Sequence, residues 1–201
     1  TAKYTVDTDD TAGSVTYSIA FTDTVGNAGT AVTSGSGSVT FDKTAPTMTI
    51  TSLEVSDGDT SNDGTLSLTF TSSEATTDFA AVDIEVSGGS LGALSGSGTT
   101  YTATFTPSGA GAKIIDVEGG AFTDAAGNDN TAATQFNWTY DGAAPTLSSV
   151  SIVSDNSTNT LAKADDVVTL TFTASETIGT PVVTFKSGGD AITDTSITYA
   201  N

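Results

Sequence analysis

The residues of this chain best suited to chemistry are its acids, and they recur in fixed settings. Asp42 opens the run Asp42-Lys-Thr-Ala-Pro-Thr47, and Asp141 opens Asp141-Gly-Ala-Ala-Pro-Thr146. Glu74 closes Leu68-Thr-Phe-Thr-Ser-Ser-Glu74, and Glu176 closes Leu170-Thr-Phe-Thr-Ala-Ser-Glu176. Asp124 and Asn128 bracket a turn in Phe122-Thr-Asp-Ala-Ala-Gly-Asn128, as Asp23 and Asn27 do in Phe21-Thr-Asp-Thr-Val-Gly-Asn27. Carboxylates and amide carbonyls are hard oxygen ligands, and calcium takes about six to eight of them in a flexible cage. Converging carboxylates repel one another unless a cation sits among them. The competing reading is turn chemistry, because Asp and Asn side chains bond their own backbone in loops and Gly127-Asn128 suits a hairpin. Repetition does not separate the two, since a turn recurs as faithfully as a ligand set.

A third acidic group, Asp57, Asp59 and Asp63, lies in Asp57-Gly-Asp-Thr-Ser-Asn-Asp-Gly64. An EF-hand that starts at Asp59 needs a bidentate Glu at its twelfth position, where Phe70 stands. The loop is therefore read first as a solvated acidic loop, and as the alternative one that lends Asp57, Asp59 or Asp63 to a junction near Asp141. Asp155 and the pair Asp165-Asp166 form its counterpart further on.

Other chemistry is closed off. The 201 residues include no cysteine and no histidine, so Ser-His-Asp and Cys-His sites cannot form and the usual zinc ligands are missing. Five lysines and no arginine face 24 acids, a formal charge of −19. That balance disfavours nucleic acid and anionic membrane surfaces as partners, since both need clustered cations. No apolar run approaches the roughly 18 residues of a membrane-spanning helix. Lys113 or Lys43 beside an Asn such as Asn137 is the pairing an internal isopeptide bond requires, but lysines are expected at the surface. The sequons at Asn137 and Asn156 and the outward threonine rows are read as ordinary β surface.

The elements that must position the acids are strands. Val15, Tyr17, Ile19 and Phe21 alternate with small and polar residues, as do Leu66, Leu68 and Phe70, Tyr101, Ala103 and Phe105, Phe136, Trp138 and Tyr140, and Val168, Leu170 and Phe172. Each pattern predicts a strand with one buried and one wet face. Gly, Ser and Asp clusters separate these runs every ten or so residues, which predicts a β-sandwich. Gly119-Gly120 predicts a bulge beside Phe122, and Trp138, Phe136 and Tyr140 are expected to pack in the core rather than form a platform for sugar.

The motif pairs sit about one hundred residues apart, the period of a tandem array of small domains. Tyr4, Tyr101 and Tyr199 keep the same spacing. One complete repeat is expected over 42–141, with 1–41 matching the second half of a repeat and 142–201 the first half. Three strands cut from a sandwich expose their core face and do not fold alone. The phase therefore implies an object larger than this chain, by covalent continuation or by complementation between chains.

The Asp-x-x-Ala-Pro-Thr linker and the Phe-Thr-Asp-x-x-Gly-Asn turn resemble those of bacterial immunoglobulin-like repeats, which occur in tandem in large secreted surface proteins and adhesins. The resemblance runs over the whole chain as one complete and two partial repeats. It implies an all-β fold of tandem Greek-key sandwiches with about seven strands per repeat, no catalysis, and calcium at domain junctions in many relatives. On the sandwich order, Glu74 follows strand B, and 124–128 forms the loop between strands F and G. Both emerge where strand A begins, so Asp42, Glu74, Asp124 and Asn128 are expected at one junction. Asp141 and Glu176 are expected at the next junction, and Asp23 and Asn27 at the one before. The expected role is an extender or spacer of an extracellular bacterial surface protein, stiffened by calcium. Its partners would be neighbouring repeats of the same or identical chains. The rivals are a self-assembling subunit of a surface filament or layer, and a module that binds a cell-surface or glycan target.

Overall fold

A computed structural model describes residues 1–191, and Tyr199 lies outside the described residues. The chain forms two compact units, Thr1–Gly142 and Ala143–Asn201. The first unit starts with a short antiparallel pair, β1 (Gly13–Ser14) and β2 (Thr40–Phe41). The strands that follow are β3 (Met48–Ser52), β4 (Thr60–Ser61), β5 (Leu66–Thr76), β6 (Glu85–Ser87), β7 (Gly89–Leu91), β8 (Ser95–Pro107), β9 (Gly111–Asp116) and β10 (Phe136–Tyr140). They make two four-stranded sheets, ordered β3-β5-β8-β7 and β4-β10-β9-β6. Neighbours run antiparallel except β4, which lies parallel to β10.

Alternation explains which residues enter the core. Along β5, Leu66, Leu68 and Phe70 are buried while Ser67 and Thr71 face water. Their partners across the ladder are Phe105, Ala103 and Tyr101 of β8, also buried, so apolar pairs stack on the inner face. The other sheet contributes Ile115, Phe136 and Trp138. The sheets meet where Phe105 sits edge-on to Trp138, with centroids 6.3 Å apart. Phe79, between β5 and β6, wedges against Phe70, Tyr101 and Phe122 at 5.9, 5.0 and 5.2 Å. The Trp138 indole N–H, buried with its ring, donates to Ser61 Oγ at 3.1 Å.

The two sheets together hold eight strands rather than the expected seven because the first strand divides. β3 pairs with β5, and the chain then turns through Ser56-Asp-Gly-Asp59, with Gly58 at φ +85°, and joins the other sheet as β4. A strand that changes sheets closes a corner of the sandwich. Gly119-Gly120 forms a turn rather than the expected bulge. Gly120 sits at φ +77° and its N–H donates to Asn130 O at 2.9 Å, which carries the chain out of the sheet after β9.

Lys113 corrects the expectation of exposed lysines, for only 2% of it is accessible. It lies on the core side of β9, two residues before Ile115. Gly88 makes the room, since a Cβ there would lie 2.8 Å from Lys113 Cδ. Lys113 stands opposite Trp138 and turns inward, whereas Asn137 is exposed and donates its side-chain N–H to Gln135 O. The two side chains lie on opposite faces, which rules out an isopeptide bond between them.

The second unit contains β11 (Leu147–Ser154) and β12 (Val168–Ala174), an antiparallel pair, and the hairpin of β13 (Lys186–Ser187) with β14 (Asp190–Ala191). β11 bulges between Ser148 and Ser151, where Ser149 takes φ 51°. Among the described residues, no helix is long and apolar enough to cross a membrane.

Phe122→Ala removes a fully packed ring next to Phe79 and should destabilise the sandwich by about 3–5 kcal/mol. Urea denaturation followed by the fluorescence of Trp138 measures this. A loss below about 1 kcal/mol would contradict the packing described.

Candidate metal centre

The linker at 42–47 is fixed on two sides. Ser73 N–H donates to Thr47 O at 3.0 Å, and Thr47 N–H donates to Ser73 Oγ at 2.9 Å. On the other side Thr131 N–H donates to Pro46 O at 3.0 Å, and Asn128 Nδ2–H donates to Asp42 O at 3.3 Å. Asp42 caps its own turn, with Oδ1 accepting Thr44 N–H at 3.0 Å. Lys43, the cation nearest in sequence, points elsewhere and donates from Nζ to Asp10 O at 2.8 Å and Thr8 O at 3.3 Å.

Asp124 organises the loop between β9 and β10. Its Oδ1 accepts the backbone N–H groups of Ala126, Gly127 and Asn128 at 2.8, 2.8 and 2.9 Å. Its Oδ2 accepts Asn128 Nδ2–H at 2.8 Å. The Asn128 side chain, followed by these backbone donors, holds the Asp124 carboxyl below the usual carboxylate range against the opposing effect of burial. Through its side-chain N–H groups Asn128 braces Asp124 against the linker.

One carboxylate oxygen from each of Asp42, Glu74 and Asp124 lies within 4.8 Å of the others. Asp42 and Glu74 are half-buried and Asp124 is buried. Glu74 lies inside β5, directly after Ser73 and two residues before the strand ends at Thr76, rather than beyond the strand as expected, and its N–H donates to Ser72 Oγ at 3.4 Å. Burial pushes its carboxyl up, and the charges of Asp42 and Asp124 push it further the same way. A set of hard oxygens at this separation suits one cation, because two ligands about 2.3–2.6 Å from a single calcium ion stand at most about 5 Å apart.

The other expected residues make the following contacts. Asp23 and Asn27 rebuild most of the Asp124 turn. Asp23 Oδ1 accepts Val25 and Asn27 N–H at 3.0 and 2.8 Å, and Asn27 Nδ2–H reaches Asp23 Oδ2 at 2.7 Å. This turn is exposed, and the Asn27 side chain lowers the Asp23 carboxyl as Asn128 lowers Asp124. Asp57 Oδ1 accepts Asn137 N–H at 2.6 Å and Asp59 Oδ2 accepts Ser56 N–H at 2.8 Å, so both secure the strand switch. Asp63 N–H donates to Ser61 Oγ at 3.3 Å. Asp141 follows β10 in the first unit, with its N–H on Ser61 O at 2.9 Å. Glu176 follows β12 in the second unit and is exposed.

Asp78 belongs to the site and was not singled out in the sequence. Its Oδ1 accepts Thr76 Oγ1–H at 2.6 Å, and its two oxygens accept Thr123 N–H at 3.1 Å each and Thr123 Oγ1–H at 2.8 Å. It thereby ties the end of β5 to the residue before Asp124. The Thr76 hydroxyl is the main cause of its lowered carboxyl. The local Thr-x-Asp signal was readable, but the partner 45 residues away was not.

Residues 42–140 match the family described as bacterial Ig-like domain. No curated protein and no solved structure matches the chain.

The two shifted acids predict opposite pH behaviour without metal. Asp124, lowered, contributes stability above its unfolded value of about 3.9, and this is lost as pH falls through the folded value. Glu74, raised, contributes stability that is present below about 4.3 and lost as pH rises through its folded value. In chelator at neutral pH, Glu74→Gln should therefore raise the thermal midpoint by a degree or more. A lowered midpoint would contradict the repulsion described here.

Proposed function

We propose, from the premise that residues 42–140 are a bacterial Ig-like domain, that this chain is an extender segment of an extracellular surface protein, with a calcium site at the start of each complete repeat. The observation that carries the reading is the carboxylate cluster. Asp42 and Asp124 accept hydrogen bonds on their carboxylates, but among the described residues the Glu74 carboxylate accepts none and still approaches both. Turn chemistry accounts for Asp124 and Asn128 and leaves Glu74 without a reason to be there.

Each acid belongs to a different segment. Asp42 belongs to the linker, Glu74 to the end of β5, and Asp124 to the loop before β10. Bound calcium supplies two positive charges that favour all three carboxylates in their ionised form. The three segments are then joined at one point, and the linker's bending freedom falls. The Asn128 brace and the Asp78 tie hold the loops in place beforehand, which lowers the ordering cost of binding. Calcium fits better than magnesium, because loop oxygens of unequal reach match a flexible cage better than a strict octahedron.

A spacer reading also agrees with the surface. A charge of −19 keeps an extended array soluble and self-repelling. Trp138 and Phe136 are buried, so they offer no aromatic platform for a sugar.

Calorimetric titration of the full chain with calcium should show binding that Glu74→Gln and Asp42→Asn each weaken by about tenfold or more. Small-angle scattering should give a longer, stiffer particle with calcium than with chelator. An unchanged maximum dimension, or binding that both variants leave intact, would sink the reading.

A further inference from the structure

The converging acids sit in motifs that recur along the chain, but the residues that hold one of them in place do not recur. Counting on without a gap from Glu74 and from Glu176, Ile178 and Thr180 stand where Thr76 and Asp78 stand. Counting on from the two Asp-x-x-Gly-Asn turns, Gly29 stands where Asn130 stands. What Thr76, Asp78 and Asn130 do therefore belongs to the domain at 42–140 and not to the shared motif.

Residues 76–79 grip residues 122–123 at two neighbouring points. Phe79 packs edge-on against Phe122 with centroids 5.2 Å apart. Beside that contact both Asp78 oxygens accept Thr123 N–H at 3.1 Å, and Oδ2 also accepts Thr123 Oγ1–H at 2.8 Å. The gripping segment is itself anchored. Thr76 is buried, its carbonyl accepts the buried Tyr101 hydroxyl at 3.0 Å, and its own hydroxyl donates to Asp78 Oδ1 at 2.6 Å. Tyr101 stands opposite Phe70, so the grip runs back into the β5–β8 ladder. The base of the loop is held separately by the buried Asn130, which accepts Phe122 N–H at 3.0 Å and donates to Glu118 O at 2.8 Å and Thr131 O at 2.9 Å.

The bonds that Asp124 makes with residues 126–128 fix the shape of its loop but not where the loop sits relative to Glu74. Among the described residues, the hydrogen bonds that tie 122–128 to 66–79 all run between Asp78 and Thr123. Asp78 is not one of the three acids whose oxygens share a volume within 4.8 Å, and both its oxygens already accept hydrogen bonds. We propose that Asp78 is the positioning residue of this centre: it sets the separation of Asp124 from Glu74 before an ion arrives and does not touch the ion itself. A ligand placed in advance has less ordering to lose on binding. The inference rests on the calcium reading and deepens it, since it separates the residues that would hold the ion from the one that holds them.

Calcium titration of the full chain, at a temperature where Trp138 fluorescence shows every variant folded, should give Asp78→Ala about tenfold weaker binding than the parent. Asp78→Asn keeps one acceptor oxygen and should fall between the two. Hydrogen exchange in chelator reads the grip without any metal. There Asp78→Ala should speed exchange of the Thr123 amide and leave those of Phe70 and Tyr101 unchanged. Terbium, whose luminescence lifetime counts the waters it carries, should keep the same count in saturated Asp78→Ala and gain water in Glu74→Ala. Three results would overturn the proposal and leave the calcium reading standing: parent-like affinity in Asp78→Ala, exchange at Thr123 that the variant does not alter, or a water gained on terbium in that variant, which would make Asp78 a ligand. A parent chain that binds neither calcium nor terbium ends the calcium reading and this inference with it.

Discussion

Thr47 and Ser73 exchange two hydrogen bonds, Ser73 N–H to Thr47 O and Thr47 N–H to Ser73 Oγ, and so join the start of β3 to the end of β5. The geometry of the carboxylate cluster depends on this exchange. Glu74 is the next residue after Ser73, and Asp42 lies one turn of linker before Thr47, so fixing the pair fixes the approach of two of the three acids. Thr131 to Pro46 and Asn128 to Asp42 bring the third segment to the same place. The exchange recurs at Thr146 and Ser175, where the sequence Ala-Pro-Thr and the following Thr-x-Ser-Glu recur. It is a property of those short motifs and of an antiparallel pair.

The acids of the cluster are held by unlike forces. Asp124 is satisfied by its own loop, with three backbone donors and an amide from Asn128, and ionises more readily than an ordinary carboxyl. Glu74 has burial and two neighbouring charges against it, and its carboxyl is raised. Two groups in one small volume, shifted in opposite directions, show that local hydrogen bonding decides one and the through-space field decides the other. The Asp23 turn supports this division. It keeps two of the three backbone donors on the Asp oxygen and the Asn amide bond while fully exposed, so these bonds form from the turn's own residues.

Burial shows the reverse dependence. Phe21 and Phe122 share a motif, yet one is 53% exposed and the other 2%. The difference comes from Phe79, which packs edge-on against Phe122 and is itself backed by Phe70 and Tyr101 of the β5–β8 ladder. Strand pairing is set by neighbours along the chain, whereas a sandwich core requires a second sheet that arrives from elsewhere.

The sequence by itself determined the inward residues of the central sandwich and the recurring turns, because period-two alternation and Asp-x-x-Gly-Asn chemistry act over a few residues; the alternating run Val15–Phe21, expected as a strand with a buried face, forms only an isolated bridge at Ile19 and stays exposed. It also determined which segments carry Asp42, Glu74 and Asp124, since a sandwich of known strand order sends those loops to one end. Only the tertiary structure decided what depends on distant residues. It switched the first strand between sheets at Gly58, turned the chain at Gly119-Gly120 where a bulge was expected, and drew Lys113 inward against the gap left by Gly88. It also recruited Asp78 to a threonine 45 residues away. Each of these is set by a partner that no local pattern names, and the free energy of burial is settled only once that partner is in place.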